Sequence, residues 1–511
     1  MTLDLKQLRR DARSLAKTYE AGDVTARQRI QSVAPRAPGI QLKHADYLHV
    51  IAKETGFSSW PALVASAELH GLDRATRLQR LRHALERRLY PAVDALLADD
   101  PTLPDDDLAC QIMLYRKDAI AEALSRDPGL AHRSIDTAPP LTFLARSGQF
   151  RRQGTDDMLE IAELLLRNGA DVNAGYPWPD SPDHTLSPLF YALAEADNMV
   201  LAEWLLEQGA DPNDDESLYH STELGHLEGL RLLLRYNADP RGTNALPRAM
   251  DFNSLEAVVL LLEAGAIADD FNPEDVGGEA PWTVPSLHQA ARRMCRPEIT
   301  KALIGAGADI NRRFQGVTPY GAARVFGNTE AANLLQAAGA DTALSSAEAS
   351  LAEAAAGSVT APLPVPEDDL PEFYQNLIRT ILHLPDKLDH VKALVSLGLN
   401  PDRPDGEGLT PVQIAGWEGL PDRMAYLLTL GPDLLHVNNY GGTLFGTILH
   451  GAENAPDRAK RDHVGCLKLA LEAGIGLPKR ALGLQGMPEI AAFLNDWGAE
   501  HPDQVTRDEV V

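Results

Sequence analysis

A leucine-rich segment closing on Gly-Ala-Asp recurs along this chain, and its most complete copy, Thr318 to Asp341 (TPYGAARVFGNTEAANLLQAAGAD), limits what the rest can be. Thr318 can cap a helix with its hydroxyl, Pro319 suits the first helical position, and Ala322 and Ala323 keep that helix slim. Gly327-Asn328 supplies a turn, and a second helix runs from Thr329 to Ala338 with Leu334 and Leu335 on one face. Gly339 can adopt the left-handed conformation that ends it. Two helices this short cannot bury their apolar faces alone, so the unit must stack on copies of itself.

The copies are visible. Second-helix endings recur as Leu164-Leu165-Leu166 to Gly169-Ala170-Asp171, Leu205-Leu206 to Gly209-Ala210-Asp211, Leu232-Leu233-Leu234 to Asn237-Ala238-Asp239, and Leu260-Leu261-Leu262 to Gly265-Ala266. They continue at Gly307-Ala308-Asp309, Leu397 to Asn400, Leu430 to Asp433, Leu471 to Gly474 and Trp497-Gly498-Ala499. First-helix starts recur as Ser187-Pro188-Leu189, Pro285-Ser286-Leu287-His288, Thr318-Pro319-Tyr320 and Thr410-Pro411-Val412. This series resembles the ankyrin repeat, whose consensus pairs a T-P-L-H-x-A helix start with a G-A-D loop at a period of about 33 residues. The resemblance implies an all-α solenoid of about ten to twelve stacked helical hairpins, curved, with a small helical head.

A solenoid grows by adding repeats, so 511 residues need not split into compact domains. The net charge of −26 argues against bulk binding to nucleic acid or an anionic membrane. It is unevenly spread: residues 1–90 carry 16 Lys+Arg against 9 Asp+Glu, a net of +7, leaving 31 against 64, a net of −33, for the remainder. Cys110, Cys295 and Cys466 are isolated, with no C-x-x-C pair, which fits buried thiols in a reducing compartment. With no apolar stretch near the ~20 residues that span a bilayer, a cytoplasmic, monomeric protein with no membrane partner is expected.

Along the chain, residues 1–72 are expected as a helical module, 75–342 as a first repeat block, 343–371 as an Ala/Pro-rich linker, 372–500 as a second block and 501–511 as a polar tail. In the head, Leu5, Leu8, Ala12, Leu15 and Ala16 recur at helical spacing, with Lys6, Arg9, Arg10, Arg13 and Lys17 alongside. A second helix is expected over Lys43 to Glu54, and a third up to Leu69. LKHADYLHVIAKETGFSSWPALVASAE is similar to a small module found ahead of repeats in bacterial ankyrin-type proteins. Its Ala-Lys-Glu-Thr-Gly-Phe turn has a superficial likeness to a helix-turn-helix, but Phe57 and Trp60 read better as core residues. Nucleic acid is therefore the less favoured partner, kept as an alternative through this head. Hairpins ending in Asp100-Pro101 and Asp127-Pro128 read as degenerate repeats, and Ser345–Ala356 as partly helical.

No phosphate loop, nucleophile elbow, H-E-x-x-H or G-x-G-x-x-G motif is present, so no catalytic residue, metal ligand or cofactor is expected. His220 and His226 flank Glu223, yet six residues do not place both on one helical face. His288 matches the histidine of T-P-L-H, for which the resemblance implies a hydrogen bond to backbone between adjacent repeats. Asp171, Asp211, Asp309 and Asp341 are expected to fix turns.

Two loops exceed the length of their repeat, Asp171 to Leu186 and Asp269 to Pro285, and insertions of this kind map to one face, often the binding face. The first offers Tyr176, Trp178, Asp180 and Asp183; the second offers Phe271, Glu274, Asp275 and Trp282; shorter loops add Phe314 and Tyr440. These are the candidate partner-binding residues, either as interface anchors or as pins that hold their own loops. The resemblance implies non-catalytic protein binding through the concave face and loops, as in an inhibitor or immunity-type regulator. The acidic body favours a basic partner.

Overall fold

The computed structural model describes residues 4–33, 42–57, 59–60, 63–64, 67, 72–178, 181–269, 271–272, 284–455, 458–484 and 487–506. It divides into two compact units, Met1–Ala238 and Asp239–Val511. Each is built from short helices packed in pairs.

The Thr318 repeat shows why. Thr318 Oγ1 accepts the Gly321 N–H at 3.1 Å, and Pro319 opens helix Pro319–Phe326 without the N–H it lacks. Gly327 ends that helix at φ 74°, after which Asn328 caps helix Thr329–Ala337 by accepting the Ala331 N–H at 3.2 Å. Gly339 then turns the chain out at φ 90°, a conformation costly for side chains with a Cβ. Where the equivalent residue is Asn237, φ is still 64°, because asparagine tolerates the left-handed region. The inner faces, Leu335, Ala331, Ala322, Ala323 and Val325, are buried.

Hydrogen bonds tie successive repeats together at two levels. In the helical layer, Asn328 Nδ2 donates to the carbonyls of Ala290 and Cys295, both at 3.3 Å. His288 Nε2 bonds the Val317 carbonyl at 3.0 Å, the inter-repeat role expected of it. In the loop layer, the Asp of each Gly-Ala-Asp accepts the N–H two residues on: Asp171 from Asn173, Asp211 from Asn213, Asp309 from Asn311, and Asp341 from Ala343. The side chain two residues on then reaches the next loop, so Asn173 Oδ1 accepts the Asp211 N–H at 2.9 Å and Asn311 Oδ1 the Asp341 N–H at 2.7 Å.

The ladder also runs through 343–371. Glu367 accepts the Asn400 N–H at 2.7 Å, and Asp402 the Asp433 N–H at 2.9 Å. Helix Ser346–Ala355, closed by a Ser345/Glu348 capping box, packs against helices Pro319–Phe326 and Leu388–Leu397. Glu348 receives the hydroxyl of Tyr374, which is 0% exposed, at 3.1 Å.

In the first unit the head forms three described helices, Leu5–Glu20, Val24–Val33 and His44–Glu54. Ala12, Leu15, Ala26, Ile30, Tyr47 and Ile51 close its core, with Trp60 packed on it, as its reading as a core residue requires. Arg29 holds Glu54 bidentately at 2.9 and 2.7 Å. Helices Arg74–Glu86, Tyr90–Asp99, Leu108–Met113 and Lys117–Arg126 follow. The loop from Asp171 to Leu186 is not irregular: Tyr176–Trp178 and Ser181–Leu186 pair as an antiparallel hairpin, with Tyr176 opposite Leu186 and Pro177 opposite Thr185. Sequence patterning missed it because Pro177 and Pro182 obscure the alternation of a strand.

Asn328 caps one helix and satisfies two carbonyls of the preceding repeat. Asn328→Ala should destabilise the protein by about 2 kcal/mol or more, the loss of a cap plus buried unpaired groups. The shift of the denaturant midpoint followed by circular dichroism reports it; a loss near zero would show that the tie carries no stability.

Candidate partner-binding loops

Three loop regions hold the candidate residues. In the first unit, hairpin 176–186 is fastened through its second strand. His184 Nε2 pairs with Glu216 Oε1 at 2.7 Å, while the other Glu216 oxygen holds His220 Nε2 at 3.0 Å, and Glu223 takes His220 Nδ1 at 3.0 Å. Burial disfavours the charged His220 ring, but the two carboxylates outweigh it and raise its pKa to about 9. At the hairpin exit, Ser187 caps the next helix by accepting the Phe190 N–H at 2.9 Å and donates its hydroxyl to Asp214. Burial pushes the Asp214 carboxyl up, against the Ser187 and Ser217 hydrogen bonds that favour its charge.

His226 turns elsewhere, to Asp197 at 2.9 Å, so His220 and His226 serve different carboxylates. Among the described residues, no group of three His, Cys, Asp or Glu side chains is arranged to hold a metal ion. Tyr176 is half-buried. The Trp178 backbone pairs within the hairpin; its side chain, Asp180 and the Asp183 side chain lie outside the described residues.

In the second unit, Phe271 and Phe314 meet edge to face at 5.4 Å, and Arg312 covers the Phe271 ring at 5.4 Å. Phe314 also packs on Phe373 at 6.1 Å and His288 at 5.9 Å. Both phenylalanines thus join an aromatic cluster with Phe326 and Tyr374 that pins loops to helices. Burial lowers His288 to about 4, so the ring is neutral at the centre of this cluster. Glu274, Asp275 and Trp282 lie outside the described residues.

Tyr440 is in a different position. Loops 405–409 and 436–442 zip together: Asn439 N donates to the Glu407 carbonyl at 3.0 Å, Asn439 Nδ2 to the Gly406 carbonyl at 3.1 Å, and His436 Nε2 bonds the Gly408 carbonyl at 2.6 Å. Tyr440 donates its hydroxyl to Glu407 at 3.0 Å while 73% exposed. Beside it in the loop stand Leu435 at 88% exposure and Val437 at 51%. The sequence singles out Tyr440 but not the exposure of Leu435 or Val437, because within the leucine-rich ends of repeats an exposed Leu is indistinguishable from a buried one.

A buried charge cluster was also missed. Asp251 pairs with Arg248 at 2.8 Å and Arg293 at 2.7 Å, and Arg293 reaches His383 Nε2 at 3.0 Å. Arg379 pairs with Asp405 at 2.8 Å, and burial lowers Arg292 to about 9. Apart from Asp405, in the loop after helix Leu388–Leu397, these residues sit on or next to helices Ala245–Asp251, Ser286–Arg292 and Leu377–Leu382, with no common spacing that a pattern could reveal.

A family model of ankyrin repeats, spanning three copies, matches residues 189–275. Over those residues the chain carries ankyrin repeats. Its fold class is all-α, of stacked helical hairpins. Among solved structures, the human ASB11 ankyrin repeat domain is similar at 24% identity, covering 42% of this chain and 89% of that one, with a TM-score of 0.32. An ankyrin repeat domain from Acinetobacter baumannii AYE is similar at 26% identity, covering 40% and 98%, with a TM-score of 0.31. No curated protein matches the sequence. Ankyrin repeats are protein–protein interaction modules, and this chain carries them. No described helix is long and apolar enough to cross a membrane.

The His184–Glu216–His220 fastening carries a pH signature. A folded-state pKa of about 9 against an ordinary 6.5 gives His220 a stabilising contribution fully present below pH 6.5 and lost as pH rises through 9. Its ceiling is about 3 kcal/mol. Between pH 6.5 and 9.5 the wild type should lose denaturant resistance that His220→Gln lacks throughout. Parallel pH profiles for the two proteins would remove the charged-histidine account.

Proposed function

We propose that this ankyrin repeat protein is a non-catalytic scaffold that captures a basic protein partner on its inter-repeat loops and regulates that partner by holding it. The observation that carries the reading is the zipped loop pair at 405–409 and 436–442. Leu435, Val437 and Tyr440 offer exposed apolar and aromatic area, bordered by the Glu407 and Asp433 carboxylates. An aromatic anchor with an apolar neighbour and an acidic rim suits a basic segment with an apolar residue of its own. The net charge of −26 adds long-range attraction for such a partner and repels acidic competitors.

Hairpin 176–186 and the Phe271–Phe314 loops are proposed as secondary contacts, in which Tyr176, Phe271 and Phe314 shape the backbone that a partner meets. On this reading the binding energy concentrates in the Tyr440 loop. The chain is expected to act without cofactor.

The test is affinity capture from the native lysate with wild-type protein and the double variant Leu435→Ser/Tyr440→Ala. A basic protein should be retained by wild type, more weakly as salt rises, and bound about 30-fold or more weakly by the variant, the loss of an anchor worth roughly 2 kcal/mol. A retained set that is mainly acidic, or unchanged by the variant, would contradict the proposal.

A further inference from the structure

The head carries a second surface, opposite in charge to the rest of the chain. Helix Leu5–Glu20 buries Ala12 and Leu15, with Leu8, Ala16 and Tyr19 packed on the same core, and turns Lys6, Arg9, Arg10, Arg13 and Lys17 to solvent. Spacings of three, one, three and four residues place all five cations within roughly 100° of arc, one stripe along one helix face. From Lys6 to Lys17 it is about 16 Å long at ~1.5 Å per residue. Lys6, Arg9, Arg10 and Lys17 have no carboxylate partner among the described residues. Asp11 lies on another face, hydrogen-bonded to Gln7 at 2.9 Å, and Glu20 ends the stripe.

A stripe in which Lys6, Arg9, Arg10 and Lys17 have no carboxylate partner among the described residues selects a polyanion, and its composition selects which kind. Protein interfaces have an apolar, aromatic centre with charge at the rim, and membrane-surface helices expose large apolar residues beside their cations. This stripe has neither: one edge is flanked by Gln7, Ser14 and Thr18, and the other by Leu5 and Ala16, which are half-buried toward the head's core. Phosphate contacts on a duplex need only cations at intervals, and a duplex presents one charge per ~1.7 Å of axis, or roughly ten phosphates along the stripe. The acidic charge elsewhere is screened beyond about 8 Å at physiological salt, so it does not cancel a local contact.

We propose that the Lys6–Lys17 stripe binds the phosphate backbone of duplex DNA without sequence preference. The inference is independent of the protein-partner reading, whose surface lies in other residues.

The test is fluorescence anisotropy of a 20-base-pair duplex of arbitrary sequence titrated with the full chain between 50 and 200 mM salt. Neutralising four to five phosphates gives a log–log salt slope near −4, hence a loss of affinity of about 250-fold or more across that range. The variant Lys6→Gln/Arg9→Gln/Arg10→Gln/Lys17→Gln should bind at least 50-fold more weakly with a flattened slope, its circular dichroism and melting unchanged. Arg9→Lys/Arg10→Lys, which keeps the charge, should bind as wild type does. No binding at 50 mM salt, a slope near zero, or equal binding by the glutamine variant would overturn the proposal. Salt-sensitive self-association abolished in the glutamine variant, with no duplex bound, would overturn it in favour of the head docking on the acidic surface of a second copy.

Discussion

A pair of helices eight to nine residues long cannot exclude water from both sides of itself, so every repeat depends on its neighbours. The neighbours are joined by more than apolar burial. Asn328 and His288 satisfy backbone carbonyls across the helical layer, and the Asp-x-Asn ladder does the same across the loops. Polar groups that would otherwise cost stability when desolvated become the register marks of the stack. The loops at the proposed binding surface are therefore fastened at their bases while their tips stay exposed, which lets Tyr440 and Leu435 project from short, bonded turns.

Much of this was legible in the sequence. The Thr-Pro start, the Asn328 turn and the Gly339 exit each have one physical reading, and their repetition made the architecture readable over most of the chain. His288 was read as structural because it matches the histidine of T-P-L-H, and the Gly-Ala-Asp aspartates because they recur once per repeat, whereas a catalytic set must converge on one place.

The rest was hidden for physical causes. The 176–186 sequence contains three prolines and no clear alternation, and the hairpin's fastening depends on Glu216, thirty-two residues beyond His184, which no local pattern links. The Asp251–Arg293–His383 cluster draws on three separated segments. Phe271 and Phe314 were open to either role, anchor or pin, because aromatics in loops suit both equally well; their mutual packing is a contact that the sequence does not show. Glu367 takes the ladder position without a Gly-Ala-Asp motif, since any carboxylate that reaches the Asn400 amide suffices.

The ladder is the part of this account most open to direct measurement. Amide hydrogen exchange at Asp211, Asp341, Asn400 and Asp433 reads it residue by residue. These N–H groups lie in loops, where exposed amides exchange freely, yet each donates to a side chain of the preceding loop at 2.7 to 2.9 Å. Strong protection at all four, lost at Asp341 alone in Asn311→Ala, is the predicted result. Exchange as fast as in an unstructured peptide would contradict the claim that side-chain bonds between loops hold the repeats in register.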